Sequence, residues 1–122
     1  MISGAALGFQ HFHFTKIFYK VAEKIRKNKK QPIEITENGV ADGEDKLRPN
    51  HLKRHLWVIF KLIEQGADIR SYYHWSLMDN FEWAEGYSMR FGLYHVDYET
   101  QTRTIRDSGK TYQSIIKSQV SE

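Results

Sequence analysis

The chain has no cysteine among its 122 residues, so neither a disulfide nor a thiolate-held metal can contribute to its fold or chemistry. That absence leaves the redox compartment open, because extracellular proteins can also lack cysteine. No apolar run approaches the roughly 20 residues of a membrane span. Residues 1–14 show neither the charged start nor the cleavage site of a secretory signal, and a cytoplasmic location is the expectation. Internal repeats and low-complexity tracts are absent too. Proline occurs only twice, as Pro32 and Pro49, and each marks an element boundary.

What is present is 40% apolar residues, with 14% of the chain aromatic, enough for the core of one soluble globular domain of this length. The formal charge of +3 comes largely from the run Lys24-Ile25-Arg26-Lys27-Asn28-Lys29-Lys30. Such a run is compatible with a nucleic-acid patch. However, no aromatic residue lies between Lys20 and Gln31, and the rest of the chain alternates in sign. The solvated C-terminal end of a helix explains the run better, and neither nucleic acid nor membrane is expected as a partner.

Residues 1–13 show no clear period and stay unassigned. From Phe14 the pattern sharpens, with Phe14, Ile17, Phe18, Val21, Ala22 and Ile25 at helical spacing and lysines opposite, which predicts an amphipathic helix. Pro32 ends it. The β-branched segment Ile33-Glu34-Ile35-Thr36-Glu37 reads as a strand, closed by an Asn38-Gly39 turn. A polar loop over 40–48 leads to Pro49 in a first helical turn. A helix from about Asn50 to Gln65 comes next, with Leu52, Leu56, Ile59, Phe60 and Ile63 as its apolar stripe and Gly66 as its cap. Ile69 to Trp75 reads as a second strand.

Strand, helix and strand make a βαβ unit, so the two strands should be parallel neighbours. Met89 to Tyr98 and Arg103 to Ile105 should form a hairpin, and a last helix carries Tyr112, Ile115, Ile116 and Gln119. The fold class is α/β, with 14–119 as its body and 120–122 as a tail.

Parallel neighbours end on the same side of a sheet. Glu37 is therefore a carboxylate at a strand tip, where open α/β sheets and α/β barrels bind ligands, and it lies close to the segment after the second strand. That segment is a loop rich in rings and acids, Trp75-Ser76-Leu77-Met78-Asp79-Asn80-Phe81-Glu82-Trp83. Indole faces and carboxylates suit a sugar, whose C–H faces stack on rings and whose hydroxyls donate to carboxylates. A further carboxylate beside the anomeric carbon can act as a nucleophile. The competing reading for Trp75, Trp83 and Phe91 is ordinary core packing. For Glu37 and Glu82 it is a solvated acid, and for Asp79 and Asn80 local bonds that shape the loop.

Thr36-Glu37-Asn38-Gly39, the loop Trp75 to Trp83 and Arg90-Phe91-Gly92-Leu93, in this order, resemble the C-terminal part of the family 1 glycoside hydrolases, the β-glucosidase and β-galactosidase group. The resemblance spans about residues 32–117. The resemblance implies a (β/α)₈ TIM barrel, with Ile33–Glu37 and Ile69–Trp75 as its seventh and eighth strands with flanking helices, incomplete as a barrel. It implies a retaining hydrolase acting on a β-glycoside substrate through a covalent glycosyl-enzyme, without metal or organic cofactor. Carried over residue by residue, Glu37 matches the nucleophile, Trp75 the ring under the glycone and Glu82 the carboxylate holding outer hydroxyls. Trp83 matches an indole that hydrogen-bonds a ring hydroxyl, and Phe91 part of the pocket wall. His74 lies beside this set without a catalytic role.

Two departures bear on activity. Retaining hydrolysis needs a second carboxyl group about 5–5.5 Å from the nucleophile. The family carries it in an Asn-Glu-Pro sequence, and none occurs here. A barrel of this type also takes roughly 250 residues. The isolated chain is expected to be inactive, as a truncated fragment or part of a longer enzyme, and to need a complementing barrel half for catalysis. A catalytically inactive piece that oligomerises and binds sugar weakly is the alternative, and a basic nucleic-acid-binding module a remote one. Exposed strand edges make self-association the expectation for the chain alone. His51 and His55, four apart on the predicted helix, could share a metal, but no third ligand is apparent. The same holds for His11 and His13, and no metal site is assigned.

Overall fold

The computed structural model describes residues 16, 18–24, 27 and 31–120. Residues 18–24 are helical and are called α1. After it come β1 (Ile33–Asn38), α2 (Arg48–Glu64), β2 (Ile69–His74), a 3₁₀ turn (Trp83–Glu85), β3 (Tyr94–Val96), β4 (Arg103–Ile105) and α3 (Asp107–Val120). The unassigned stretch 1–13, the stripe residues Phe14, Ile17 and Ile25, and most of the basic run lie outside the described residues.

β1 pairs with β2, and β3 pairs with β4. The amide of Ile33 donates to the carbonyl of Asp68 just before β2. At the other end Trp75 N donates to Asn38 O. Start meets start and end meets end, so β1 and β2 run in the same direction, as the βαβ reading requires. Among the described residues these strands form two two-stranded sheets and no closed barrel. The backbone divides into two compact units. Unit 1 holds the described residues up to Ile35 together with Lys53–Ser71, and unit 2 holds Thr36–Leu52 and the chain from Tyr72 onward.

Unit 1 is organised by apolar contact. Ala22 of α1, Val58 and Leu62 of α2, and Ala67 form its core, with Phe18, Tyr19 and Ile69 packed around them. Complete burial of a leucine such as Leu62 contributes about 1.5–3 kcal/mol. Here α2 turns His55, Val58, Ile59 and Leu62 inward, while Phe60 and Ile63 face solvent. The buried stripe is thus rotated from the expected one. A histidine occupies part of it: His55 stacks on Phe18 with ring centroids 4.6 Å apart and planes 11° from parallel, so its ring behaves as core. Val21 of α1 is likewise exposed.

The end of α2 is closed by a double bond pattern in which Gly66 N donates to Ile63 O and Ala67 N to Leu62 O. This places Gly66 at φ +86°, a left-handed conformation natural to glycine. Leu62 and Ala67 belong to one core, so the cap also adds apolar contact. Glu34, a costly residue if buried, is exposed, as are Asp68 and Arg70. Arg70 Nη2 lies 2.9 Å from Asp68 Oδ2.

Unit 2 is organised by buried polar groups. The Asp42 carboxylate accepts from the amides of Leu47 at 2.7 Å and Arg48 at 3.1 Å, satisfying donors that the start of α2 leaves without helical partners. Pro49 sits in the same first turn. Arg48 is fully buried, donates to Asp45 and reaches the Arg90 carbonyl at 2.8 Å. Burial lowers its pKa, with the neighbouring Asp45 opposing. Asp45 Oδ2 in turn accepts from Ser108 N at 2.8 Å, in the first turn of α3. The polar stretch 40–48 therefore closes the start of two helices.

β3 and β4 pair antiparallel, Tyr94 opposite Ile105 and Val96 opposite Arg103. At their turn Asp97 Oδ1 accepts from Glu99 N and Thr100 N, bonds that hold the Asp97 carboxyl below its ordinary pKa. The hairpin is shorter than the sequence suggests, because residues 91–94 give backbone bonds to the loop after β2 instead.

Candidate active site

All five residues proposed from the sequence fall in unit 2. Glu37 lies on β1 one residue before its end, and its side chain is exposed. On the neighbouring position Asn38 Oδ1 accepts from Tyr72 OH at 3.0 Å. Burial raises the pKa of this phenol, keeping it a neutral donor. Tyr72 and His74 both meet the Tyr112 ring of α3, with centroids 6.2 and 6.4 Å away. Strand alternation therefore sends Asn38, Tyr72 and His74 to the α3 side and Glu37 and Tyr73 to the other. The Tyr73 side is open, 59% exposed. Burial lowers the pKa of His74 to about 4, so it is neutral at pH 7, and it does not share the face of Glu37.

The tip of β1 is joined closely to the start of the loop. Beyond the Trp75 N to Asn38 O bond of 2.9 Å, a Cβ on Gly39 would come 1.7 Å from the Trp75 carbonyl oxygen. Only glycine permits that approach. The Trp75–Ser76 peptide is cis.

The loop brings Trp75 and Glu82 together: the indole Nε1 donates to Glu82 Oε1 at 3.0 Å. An aromatic face and an oriented carboxylate thus meet in a single bond. Phe91 joins the same place through its backbone, its carbonyl accepting from Ser76 N at 3.3 Å. Trp83 opens the 3₁₀ turn at φ +48° and is 86% exposed. It is not packed as core, and neither is Trp75, at 36% exposed.

The sequence pattern does not reveal how the loop is held. Asp79 is buried. Its Oδ1 accepts from Arg106 Nη1 at 3.1 Å and Gly92 N at 2.9 Å. Its Oδ2 accepts from Arg106 Nη2, Arg90 Nη1 and Val96 N, each at 3.2 Å. These partners are 11 to 27 residues away in sequence, so the expectation of purely local loop bonds fails for Asp79. It holds for Asn80, whose Nδ2 donates to Ser76 Oγ and Met78 O. The one signal in the sequence is an acid set among apolar residues, with an arginine opening the Arg90-Phe91-Gly92-Leu93 motif.

Among the described residues no group of three or more His, Asp or Glu side chains is placed to hold a metal. His51, like His55, is buried. No helix among them is long and apolar enough to cross a membrane. A groove of about 730 Å³ in unit 1, lined by Tyr19, Trp57, Val58 and Lys61, contains none of the five residues. In chemical terms, the five combine a solvent-facing strand-tip carboxylate with an aromatic platform and a second, indole-held carboxylate.

Comparison with known proteins points the same way. Beta-glucosidase A of Thermotoga maritima is 43% identical over 109 residues, covering 81% of this chain and 24% of that protein. The beta-galactosidase of Saccharolobus solfataricus is 51% identical over 81 residues, covering 66% of this chain and 17% of that protein. A solved structure of the family 1 β-glucosidase from Thermotoga maritima superposes with a TM-score of 0.81 at 39% identity, over 84% of this chain and 26% of the other. The chain thus spans about a quarter or less of the length of the relatives it matches. The Glycosyl hydrolase family 1 profile matches residues 10–120, a wider stretch than the three motifs occupy, and on that match the chain belongs to glycosyl hydrolase family 1.

Proposed function

We propose that the chain is the C-terminal part of a retaining β-glycosidase of the β-glucosidase and β-galactosidase type, with β1 and β2 as the seventh and eighth strands of its barrel. The observation that carries this reading is the Trp75–Glu82 bond in a loop whose first amide is tied to the tip of the Glu37 strand. Relatives named β-glucosidase and β-galactosidase support it. Glu37 attacks the anomeric carbon as the leaving oxygen departs, giving a covalent glycosyl-enzyme that water then hydrolyses. Trp75 stacks on the glycone, Glu82 accepts from its outer hydroxyls, Trp83 donates to a ring hydroxyl, and Phe91 walls the pocket.

The carboxyl group that protonates the leaving oxygen is supplied from outside these residues, since the sequence has no Asn-Glu-Pro. Activity then requires a complementing barrel half, and the chain alone is inactive. Two carboxylates suffice for this chemistry, and it calls on neither metal nor organic cofactor. A second reading, an inactive piece that self-associates and binds sugar weakly, is favoured by open aromatic residues such as Tyr73.

The test is to exchange residues 32–117 into the corresponding stretch of Thermotoga maritima beta-glucosidase A, treat the hybrid with a 2-fluoro β-glycoside and map the adduct by mass spectrometry. Modification of Glu37 is expected, and Glu37→Gln should lower turnover on the order of 10⁴-fold or more, the scale on which loss of a catalytic nucleophile acts. An adduct on any other carboxylate would sink the assignment. The unfused chain should show no turnover. Hydrolysis by it that vanishes in Glu37→Gln would show that it carries its own acid.

A further inference from the structure

Two of the motifs that supply sugar-facing positions meet at one carboxylate. Trp75 precedes Asp79 by four residues, and Glu82 lies three residues beyond it. The first half of this loop is held by backbone bonds to residues 91–94: Ser76 N to Phe91 O, Leu93 N to Ser76 O, Tyr94 N to Leu77 O and Asp79 N to Tyr94 O. At Asp79 that ladder ends and the side chain takes over.

Its two oxygens gather the Arg106 fork, the Arg90 guanidinium and the amides of Gly92 and Val96. Arg90 and Gly92 flank Phe91, so the carboxylate holds the wall residue from both sides. Gly92 leaves no alternative packing, because a Cβ there would lie 2.2 Å from Asp79 N and 2.5 Å from the Met78 carbonyl carbon. Arg90 also donates to Val96 O at 2.9 Å and lies over the Tyr98 ring at 4.5 Å. Arg106 donates to Gly92 O at 2.8 Å and approaches His95 Nδ1 at 3.2 Å. A bidentate guanidinium–carboxylate pair fixes direction as well as distance. A buried carboxylate with five donors has one low-energy orientation.

We propose that Asp79 is the positioning residue for the sugar-facing side chains: its carboxylate, clamped by Arg106 and Arg90, sets where the Trp75 indole meets Glu82. In the proposed function this makes Asp79 a determinant of glycone affinity that never touches the sugar. The sugar-related part rests on the glycosidase reading, whereas the geometric part does not.

The test uses the full chain and the three tryptophan indole N–H signals in a ¹H–¹⁵N spectrum, assigned by single Trp→Phe substitutions. Glu82→Gln supplies the reference position for a Trp75 indole that has lost its charged acceptor. Asp79→Asn should move the Trp75 signal toward that reference and leave Trp57, in unit 1, unmoved. Arg106→Lys, which keeps the charge but loses the fork, should move Trp75 in the same direction by less.

If Asp79→Asn collapses all three signals together, the variant has unfolded, and Arg106→Lys decides by the same criterion. A Trp75 signal unmoved by Arg106→Lys, and by Asp79→Asn where that variant folds, overturns the proposal, even if the Gly92 and Val96 amides shift. The signals are read without sugar or turnover, so this outcome is independent of the adduct experiment that tests the glycosidase reading.

Discussion

Unit 1 closes around Ala22, Val58, Leu62 and Ala67, whereas unit 2 buries Arg48, Asp79, Arg106 and Ser108. Apolar packing is graded: a smaller side chain leaves a cavity, and the surroundings partly relax around it. A buried polar network behaves differently, because each donor or acceptor left without its partner bears the full cost of having lost water. The unit with the candidate active site is thus the one whose parts cannot adjust independently. Its precision comes from charge and close backbone contact rather than from volume.

That contrast can be broken or sharpened by measurement, with amide hydrogen exchange reading the stability of each unit separately. The largest effect is expected from Gly39→Ala. A methyl group would fall 1.7 Å from the Trp75 carbonyl oxygen, so backbone must move, at a cost above about 4 kcal/mol. Protection should be lost first in unit 2, around Trp75 and Tyr72. Equal loss in unit 1 would show that the two units do not differ in the way described.

Leu62→Ala comes next. It empties a fully buried site in the apolar unit and should cost about 3 kcal/mol, read in α2 and around Ala67. A loss below about 1 kcal/mol would mean that unit 1 closes around the vacancy far more readily than a packed core does.

The third expectation concerns pH and belongs to unit 2. The folded His74 titrates near 4 rather than 6.5, chiefly because burial disfavours its charged form. Between those values the unfolded chain binds more protons than the folded one, so stability rises with pH across the window. The full contribution is present above pH 6.5 and is lost as pH falls toward 4, by up to about 3 kcal/mol. Denaturation at about pH 7 and about pH 4.5, on either side of most of that window, should differ in the parent chain and differ less in His74→Phe. An unchanged difference would place the sensitivity elsewhere.

The smallest effect is expected from Gly66→Ala. No atom lies within 4 Å of the added carbon, and the cost is the left-handed backbone alone, about 1 kcal/mol. Set beside Gly39→Ala, it separates a glycine kept for its φ from one kept for lack of space. A Gly66→Ala cost approaching that of Gly39→Ala would erase the distinction.

Much of this is legible in the sequence, for identifiable reasons. Pro32, Pro49 and Gly66 act on their own residue's dihedral or hydrogen bond, so local reading places both strands and the limits of α2 within a residue or two. The strand-tip position of Glu37 and the aromatic loop come from the βαβ pattern. Buried faces are harder to read. Counting only apolar residues rotates the α2 stripe, because His55 takes a core position by stacking on Phe18. Sequence pattern alone starts the hairpin at Met89, but residues 91–94 spend their backbone bonds on the loop at 76–79. Asp79 looks like a local turn former because its partners lie 11 to 27 residues away, and no sequence period records a contact at that distance.

The clamp at Asp79 also has a bearing on how the chain is made. Its carboxylate is synthesised 27 residues before the guanidinium fork that satisfies it. At about 5–20 residues per second, that interval is roughly one to five seconds on the ribosome. During it the acid lacks its main counter-charge, and Trp75, Phe81 and Trp83 have no fixed loop to hold them. The loop's aromatic rings therefore gain their fixed setting only once the chain has grown well past them, later than any contact within the loop itself would require.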